Sequence, residues 1–191
     1  MKQFFILLSL LLFGVQQGVA AEKQQQTNLQ NEVISNNADN GTTPISLDAV
    51  YEFLKAEGHP AEFNTVENLR YIAFGYKEAV SLLFIEKDFV IFQMGYPDIS
   101  ERIKSKFKIK ELSDKEIAGI YATCVDMTRL VRCVKLSYRP ENDVVTADIE
   151  TFIPTMEMFK HYFSTYMDIV RVSIATFEES LFDNVEVSRK N

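Results

Sequence analysis

Three apolar runs separated by short polar breaks fill residues 69–96, and they constrain the fold more than any other feature. The runs at 69–77, 78–86 and 89–96 are rich in Phe, Ile, Val, Leu and Tyr, residues typical of strands. Such tight breaks, at 76–78 and 86–88, join successive strands into a meander with antiparallel neighbours. We therefore predict a three-stranded meander.

A long helical pattern follows Pro154, a residue suited to the first turn of a helix. Apolar residues recur at helical spacing from Met156 to Leu181. An amphipathic helix of this length must bury its apolar face, and the meander is the natural surface for it. The pattern predicts a closing helix that covers a sheet.

Shorter elements complete the domain, which we place at residues 44–187. Ser46 is the expected cap of a helix over 46–57, and Ser113 with Glu116 forms a capping-box pattern for a second helix. A hairpin is predicted from strands at 131–138 and 144–153, and the basic stretch 102–110 is interpreted as a solvated connector. The result is an α+β domain with about five mainly antiparallel strands and three helices, in the order α-β-β-β-α-β-β-α.

The amino terminus has the layout of a secretory signal peptide, predicted at residues 1–21. Lys2 precedes an apolar run over 4–15, and small residues follow at 18–21. The run is shorter than the roughly 20 residues of a membrane-spanning helix, and no Cys near residue 21 offers a lipid attachment site. We expect a periplasmic or secreted protein without membrane anchoring after signal cleavage.

Residues 22–43 are predicted to be a disordered tether because Gln, Asn, Thr and Ser dominate and few large apolar residues are present. The whole chain carries a formal net charge of -7. A protein that binds nucleic acid needs clustered Lys and Arg to contact phosphates, so this charge argues against nucleic-acid partners.

The predicted strands differ in how clearly their two faces separate. The second hairpin alternates cleanly, with Val134, Leu136, Tyr138, Val145, Ala147 and Ile149 on an apolar face and Lys135, Ser137, Thr146, Asp148 and Glu150 on a solvated one. The meander has a heavy face, assigned to Ile72, Phe74, Val80, Leu82, Phe84, Val90, Phe92 and Met94. Its lighter face is still apolar, and is either covered by the first helix or available to a partner.

We place the candidate partner-binding site on that lighter face. Its residues are Tyr71, Leu83, Ile85, Phe89, Ile91 and Gln93. The expected occupant is a protein or peptide, or a second copy of the chain in a homodimer.

Residues with catalytic or metal-binding chemistry are sparse, and we assign no catalytic, cofactor or metal site. There is no glycine-rich phosphate loop, and Cys124 and Cys133 have neither zinc-site spacing nor a suitable histidine pair. A disulfide between them is left open, although the predicted faces point them apart. The alternative is a small periplasmic enzyme whose site is assembled from distant residues such as His59, His161 and Asp98.

The domain resembles the YbjN-like family over nearly its whole length. The resemblance rests on ISLDAVYEFLKAEGHPAEF, on LRYIAFGYKEAVSLLFIEKDFVIFQMGYP and on VRCVKLSYRPENDVVTADIETFIP, which leads into the long helix. It implies a fold similar to that of type III secretion chaperones, no catalytic residues, and a regulatory or chaperone-like role. The signal peptide and tether depart from a cytoplasmic regulator. We therefore expect an exported, non-enzymatic binding protein.

Overall fold

The computed structural model describes residues 43–66 and 68–190. Within them lie six strands, β1 (Ala61–Val66), β2 (Leu69–Tyr76), β3 (Ala79–Glu86), β4 (Phe89–Pro97), β5 (Lys135–Arg139) and β6 (Val144–Phe152). The four helices of this part are α1 (Leu47–Ala56), α2 (Ile99–Phe107), α3 (Asp114–Leu130) and α4 (Met156–Lys190). The predicted signal peptide lies outside the described residues, as does the predicted tether except for Thr43.

The strands form one antiparallel sheet in the order β1-β2-β3-β4-β6-β5. The α+β class and the antiparallel sheet are confirmed. The prediction of about five strands and three helices missed β1 and α2, and it started β5 four residues too early, at 131 instead of Lys135.

Helix α2 replaces the predicted connector because distant residues complete it. Its buried side chains are Ile99 and Ile103, one turn apart. Its first turn is capped from the β5–β6 turn, where the Asp143 carboxylate accepts hydrogen bonds from Ser100 N at 3.0 Å and Ser100 Oγ at 2.7 Å. A charged segment with two apolar anchors and a distant cap gives little local helix signal.

Two-residue turns fix the register of the meander. Lys77 and Glu78 both have positive φ, 43° and 70°, as in the tight turns that suit hairpins. The turn pairs Tyr76 with Ala79, and the next turn pairs Glu86 with Phe89. Across such a turn an even-numbered residue pairs with an odd-numbered one. A face that carries even-numbered residues on one strand therefore carries odd-numbered residues on the next.

This register corrects the predicted faces of β3. Leu83 lies opposite Ile72 and Phe92, on the heavy face, and Ile85 lies opposite Val90. The side chains predicted for the heavy face, Val80, Leu82 and Phe84, project from the other side of the sheet instead. The prediction grouped residues by size, whereas the turns decide which residues are neighbours.

The described helices pack on one side of the sheet, which we call the helix face. Its strand residues include Ile72, Phe74, Leu83, Phe92 and Ile149, and these belong to the main core together with side chains from all four helices. Phe163 of α4 is central there, with its ring centroid 5.9 Å from that of Phe74. The opposite side of the sheet is called the second face.

Helix α4 has 35 residues, and its two halves have different neighbours. Near its start Phe159 stacks on Phe92 at 5.9 Å, whereas its last turns pack on α3. There Gly119 of α3 approaches Val185 so closely that a Cβ on it would lie 2.8 Å from the Val185 Cα. The predicted capping box holds the start of α3, since Ser113 N donates to Glu116 Oε2 at 2.7 Å. The hydrogen bond from the Ser113 side chain helps to hold the pKa of Glu116 below its usual range.

Candidate partner-binding surface

One row of apolar side chains crosses the second face at the end of the sheet where β2 begins. The register aligns Phe89 with Glu86 of β3 on one side and with Phe152 of β6 on the other; Leu69 stands at the same level on β2, separated from Phe89 by Glu86. Leu69, Phe89 and Phe152 are 45%, 44% and 54% exposed. The Phe89 and Phe152 rings meet edge to face with centroids 5.8 Å apart. We call these three residues the apolar row.

A second apolar level lies next to that row, one step further into the sheet. Tyr71, Phe84 and Ile91 share it by register, and the rings of Tyr71 and Phe84 are 5.3 Å apart. Tyr71 and Phe84 belong to a small hydrophobic cluster with Ala73, Leu82 and Val144, and Ile91 packs against it. The second face therefore has an apolar cluster distinct from the main core.

A polar border follows at the level of Gln93 and Asp148. Gln93 Nε2 donates to Asp148 Oδ1 at 2.6 Å, and Thr146 Oγ1 lies 3.4 Å from Asp148 Oδ2. Burial raises the pKa of the Asp148 carboxyl, while the Gln93 hydrogen bond opposes that rise. Thr146 is fully buried, so the predicted solvated face of this hairpin is wrong there, because these polar groups bond to one another.

Four of the six predicted site residues lie on the second face: Tyr71, Phe89, Ile91 and Gln93. Leu83 and Ile85 do not; Leu83 is fully buried in the main core and Ile85 packs against it. The prediction missed Leu69, Phe84 and Phe152 as members of this surface. The two-residue turns carried the signal for Phe84, since they set which residues of β3 share a face with Ile91.

The residues of the alternative enzyme site occupy three different environments. His59 sits among core aromatic rings, with Nδ1 3.0 Å from the Gly75 carbonyl oxygen and its ring 5.6 Å from that of Phe163. His161 is exposed on α4 beside Tyr162, and exposed Asp98 precedes α2. None of the contacts within the described part of the chain joins them.

The cysteines are both free, so the disulfide left open by the sequence is not formed in this structure. Cys124 is buried in α3, and burial raises the pKa of its thiol to about 12, whereas Cys133 is exposed just before β5. Among residues 43–66 and 68–190 no group of three or more His, Cys, Asp or Glu side chains is arranged to hold a metal ion. In the same residues no helix combines the length and apolar character needed to cross a membrane.

Comparison with solved structures identifies the same fold in an uncharacterized protein from Methanothermobacter thermautotrophicus. The two are 15% identical with a TM-score of 0.52, and the match covers 74% of this chain and 99% of that one. YbjN from E. coli is also similar, at 9% identity and a TM-score of 0.43, over 74% of this chain and 93% of that one. No family model and no curated protein matches the sequence. These likenesses concern the fold, and membership of the YbjN-like family stays a prediction.

Proposed function

We propose that this chain is an exported, non-enzymatic binding protein that holds an apolar segment of a protein partner against the apolar row. The observation that carries the proposal is the exposure of Leu69, Phe89 and Phe152 at one level of the second face. Single exposed apolar residues are ordinary, whereas the adjoining Phe89 and Phe152 rings, with Leu69 at the same level beyond Glu86, form a larger exposed apolar area of the kind that contact surfaces present.

The chemistry of the row favours an apolar partner with aromatic or branched side chains. Covering one large apolar side chain completely is worth about 1.5 to 3 kcal/mol. Two phenylalanine rings in edge-to-face contact present both ring faces and ring edges, which a third aromatic side chain can contact. The Gln93–Asp148 pair lies beyond the level of Tyr71, Phe84 and Ile91, where the half-buried Asp148 carboxylate can accept a hydrogen bond from the partner.

An array of immobilised 12-residue peptides, half of them with alternating apolar residues and half polar, tests the proposal. We expect the purified protein to bind the apolar set, and Phe89→Asp with Phe152→Asp to reduce that binding at least about tenfold, since charge at the contact must be desolvated. Val172→Asp is the matched control because Val172, on α4, is 52% exposed, close to the 54% of Phe152.

The result is meaningful only while the variants stay folded, which circular dichroism checks. Equal loss of binding in the Val172→Asp control would show that the peptides bind the protein surface non-specifically. Retention of binding by the double variant would exclude the apolar row as the contact surface.

A further inference from the structure

The two edges of the sheet differ in how they are protected. At the β5 edge Leu136 N, which points away from β6, donates to Thr128 Oγ1 of α3 at 2.9 Å. At the β1 edge the register and the hydrogen bond from Gly75 N to Pro60 O show that the backbone N–H and C=O groups of the even-numbered β1 residues point towards β2. The backbone groups of Ala61, Phe63 and Thr65 therefore point outward, and no hydrogen bond from the described residues reaches them.

Two polar side chains on this same edge strand have unsatisfied atoms. Glu62 Oε1 and Asn64 Nδ2 are both buried and lack a hydrogen-bond partner in the structure. One atom is an acceptor and the other a donor. Both side chains project from the second face, because Glu62 pairs with Ala73 and Asn64 with Tyr71. Unpaired buried polar atoms cost roughly 1–3 kcal/mol each, and both atoms are enclosed by the chain itself, so each side chain has to rotate outward to gain a partner across the open edge.

We propose that two copies of this chain associate through their β1 strands, antiparallel, around a two-fold axis at Phe63. This register pairs Ala61 with Thr65 of the second copy and uses all three outward-facing residues for backbone hydrogen bonds. It also sets Glu62 directly opposite Asn64 of the second copy. After both side chains rotate outward, each Asn64 Nδ2 donates to a Glu62 Oε1, and the two-fold symmetry repeats the bond.

Neighbouring registers do not satisfy these atoms. A shift of the axis by one residue sets Glu62 against Glu62, or Asn64 against Asn64, across the two copies. The first places like charges face to face. The second lets the two Asn64 amides bond to each other but sets Glu62 opposite Val66, which offers no side-chain donor, so only the register centred on Phe63 satisfies both Glu62 and Asn64.

The helix-face side of the same strand supports the pairing. Phe63 is held rigidly there, stacked on Tyr51 at 4.3 Å and lying under the Arg70 guanidinium at 3.9 Å. At the proposed axis Phe63 meets its own copy, and cross-strand aromatic pairs stabilise antiparallel strands. The paired sheets form one continuous sheet of twelve strands, twice the six of one chain.

Light scattering after size-exclusion chromatography, over a concentration series, tests the register. We expect a dimer that Asn64→Glu weakens at least about tenfold, because it sets Glu against Glu at both symmetric positions. The reciprocal exchange, Glu62→Asn with Asn64→Glu, restores the complementary pairs and is expected to recover the dimer. Ala175→Glu adds the same charge on exposed α4 surface and serves as the control.

A cross-link provides a readout that does not depend on dimer strength. Residues 62 and 64 of the two copies form a non-hydrogen-bonded pair, with Cα atoms about 4.5 Å apart, which is within the range of a disulfide. With Glu62→Cys and Asn64→Cys in one chain, we expect oxidation to give an intermolecular disulfide between positions 62 and 64, identified by peptide mapping.

A monomer throughout the concentration series, a dimer insensitive to Asn64→Glu, or the absence of the 62–64 cross-link would overturn the proposal. The pairing does not depend on the apolar row, so the Phe89 and Phe152 variants are expected to remain dimeric. Failure of one proposal therefore leaves the other open to its own test.

Discussion

The helix face and the second face belong to the same strands, yet their side chains are organised in different ways. On the helix face Phe92 lies within 6.4 Å, centroid to centroid, of Phe159, Phe163 and Tyr166, and α4 completes a continuous core. On the second face the apolar cluster is small, and the apolar row at its end leaves Phe89 and Phe152 about half exposed. One face stabilises the fold, and on the other we propose a contact surface.

The size of a strand residue alone does not determine which face of the sheet it occupies. Leu83 and Leu82 are adjacent and chemically identical, yet one belongs to the main core and the other to the cluster of the second face. Adjacent strand residues face opposite ways, and the register that the turn at Lys77 and Glu78 imposes decides which of the two enters the main core. Substitutions on the two faces should therefore have very different consequences.

The largest contrast is expected between Leu83→Asp and Phe89→Asp. The first buries an unpaired carboxylate in the main core and should lower the free energy of unfolding by at least about 4 kcal/mol. The second replaces a half-exposed ring and should cost no more than about 1.5 kcal/mol. Urea denaturation followed by circular dichroism measures both. Similar losses for the two variants would contradict the register of β3.

A smaller effect is expected at Ser81, a polar residue on the helix face. Its hydroxyl is fully buried between Phe74 and Met94 in the register and has no hydrogen-bond partner. Ser81→Ala should raise the free energy of unfolding by about 1 kcal/mol, because it removes an unsatisfied group. Ser173→Ala is the control, since that hydroxyl donates to the Ile169 carbonyl at 2.8 Å. A stability loss at Ser81 would show that its hydroxyl has a partner.

The smallest effect is expected at Asp148, on the second face. Burial raises the pKa of its carboxyl in the folded state, so the charged form is penalised above that pKa and the penalty fades as the pH falls through it. Asp148→Asn keeps an acceptor for Gln93 and should gain less than about 1 kcal/mol at pH 7. Thermal unfolding from pH 7 to 4 should show the gain shrinking; a gain that grows towards low pH would reverse the inferred sign.

Local patterns predicted most elements but not all of them. The sequence predicted the caps at Ser46 and Ser113, the meander and the long helix α4, because each of these depends on residues close together in the chain. Strand β1 was missed because Glu62 and Asn64 interrupt a short segment after Pro60. Within the polar border of the second face, Thr146 and Asp148 were assigned to solvent, since the sequence does not show that Gln93 reaches Asp148, 55 residues away.

The α+β class, the antiparallel meander and the need for a covering helix follow from the sequence alone, because periodicity and tight turns act over short distances. The tertiary structure decided which atoms meet across the chain. It capped α2 with Asp143, placed Leu83 and not Leu82 in the main core, and left complementary Glu62 and Asn64 atoms unpaired on one edge. Those outcomes depend on register and long-range packing, which no single segment encodes.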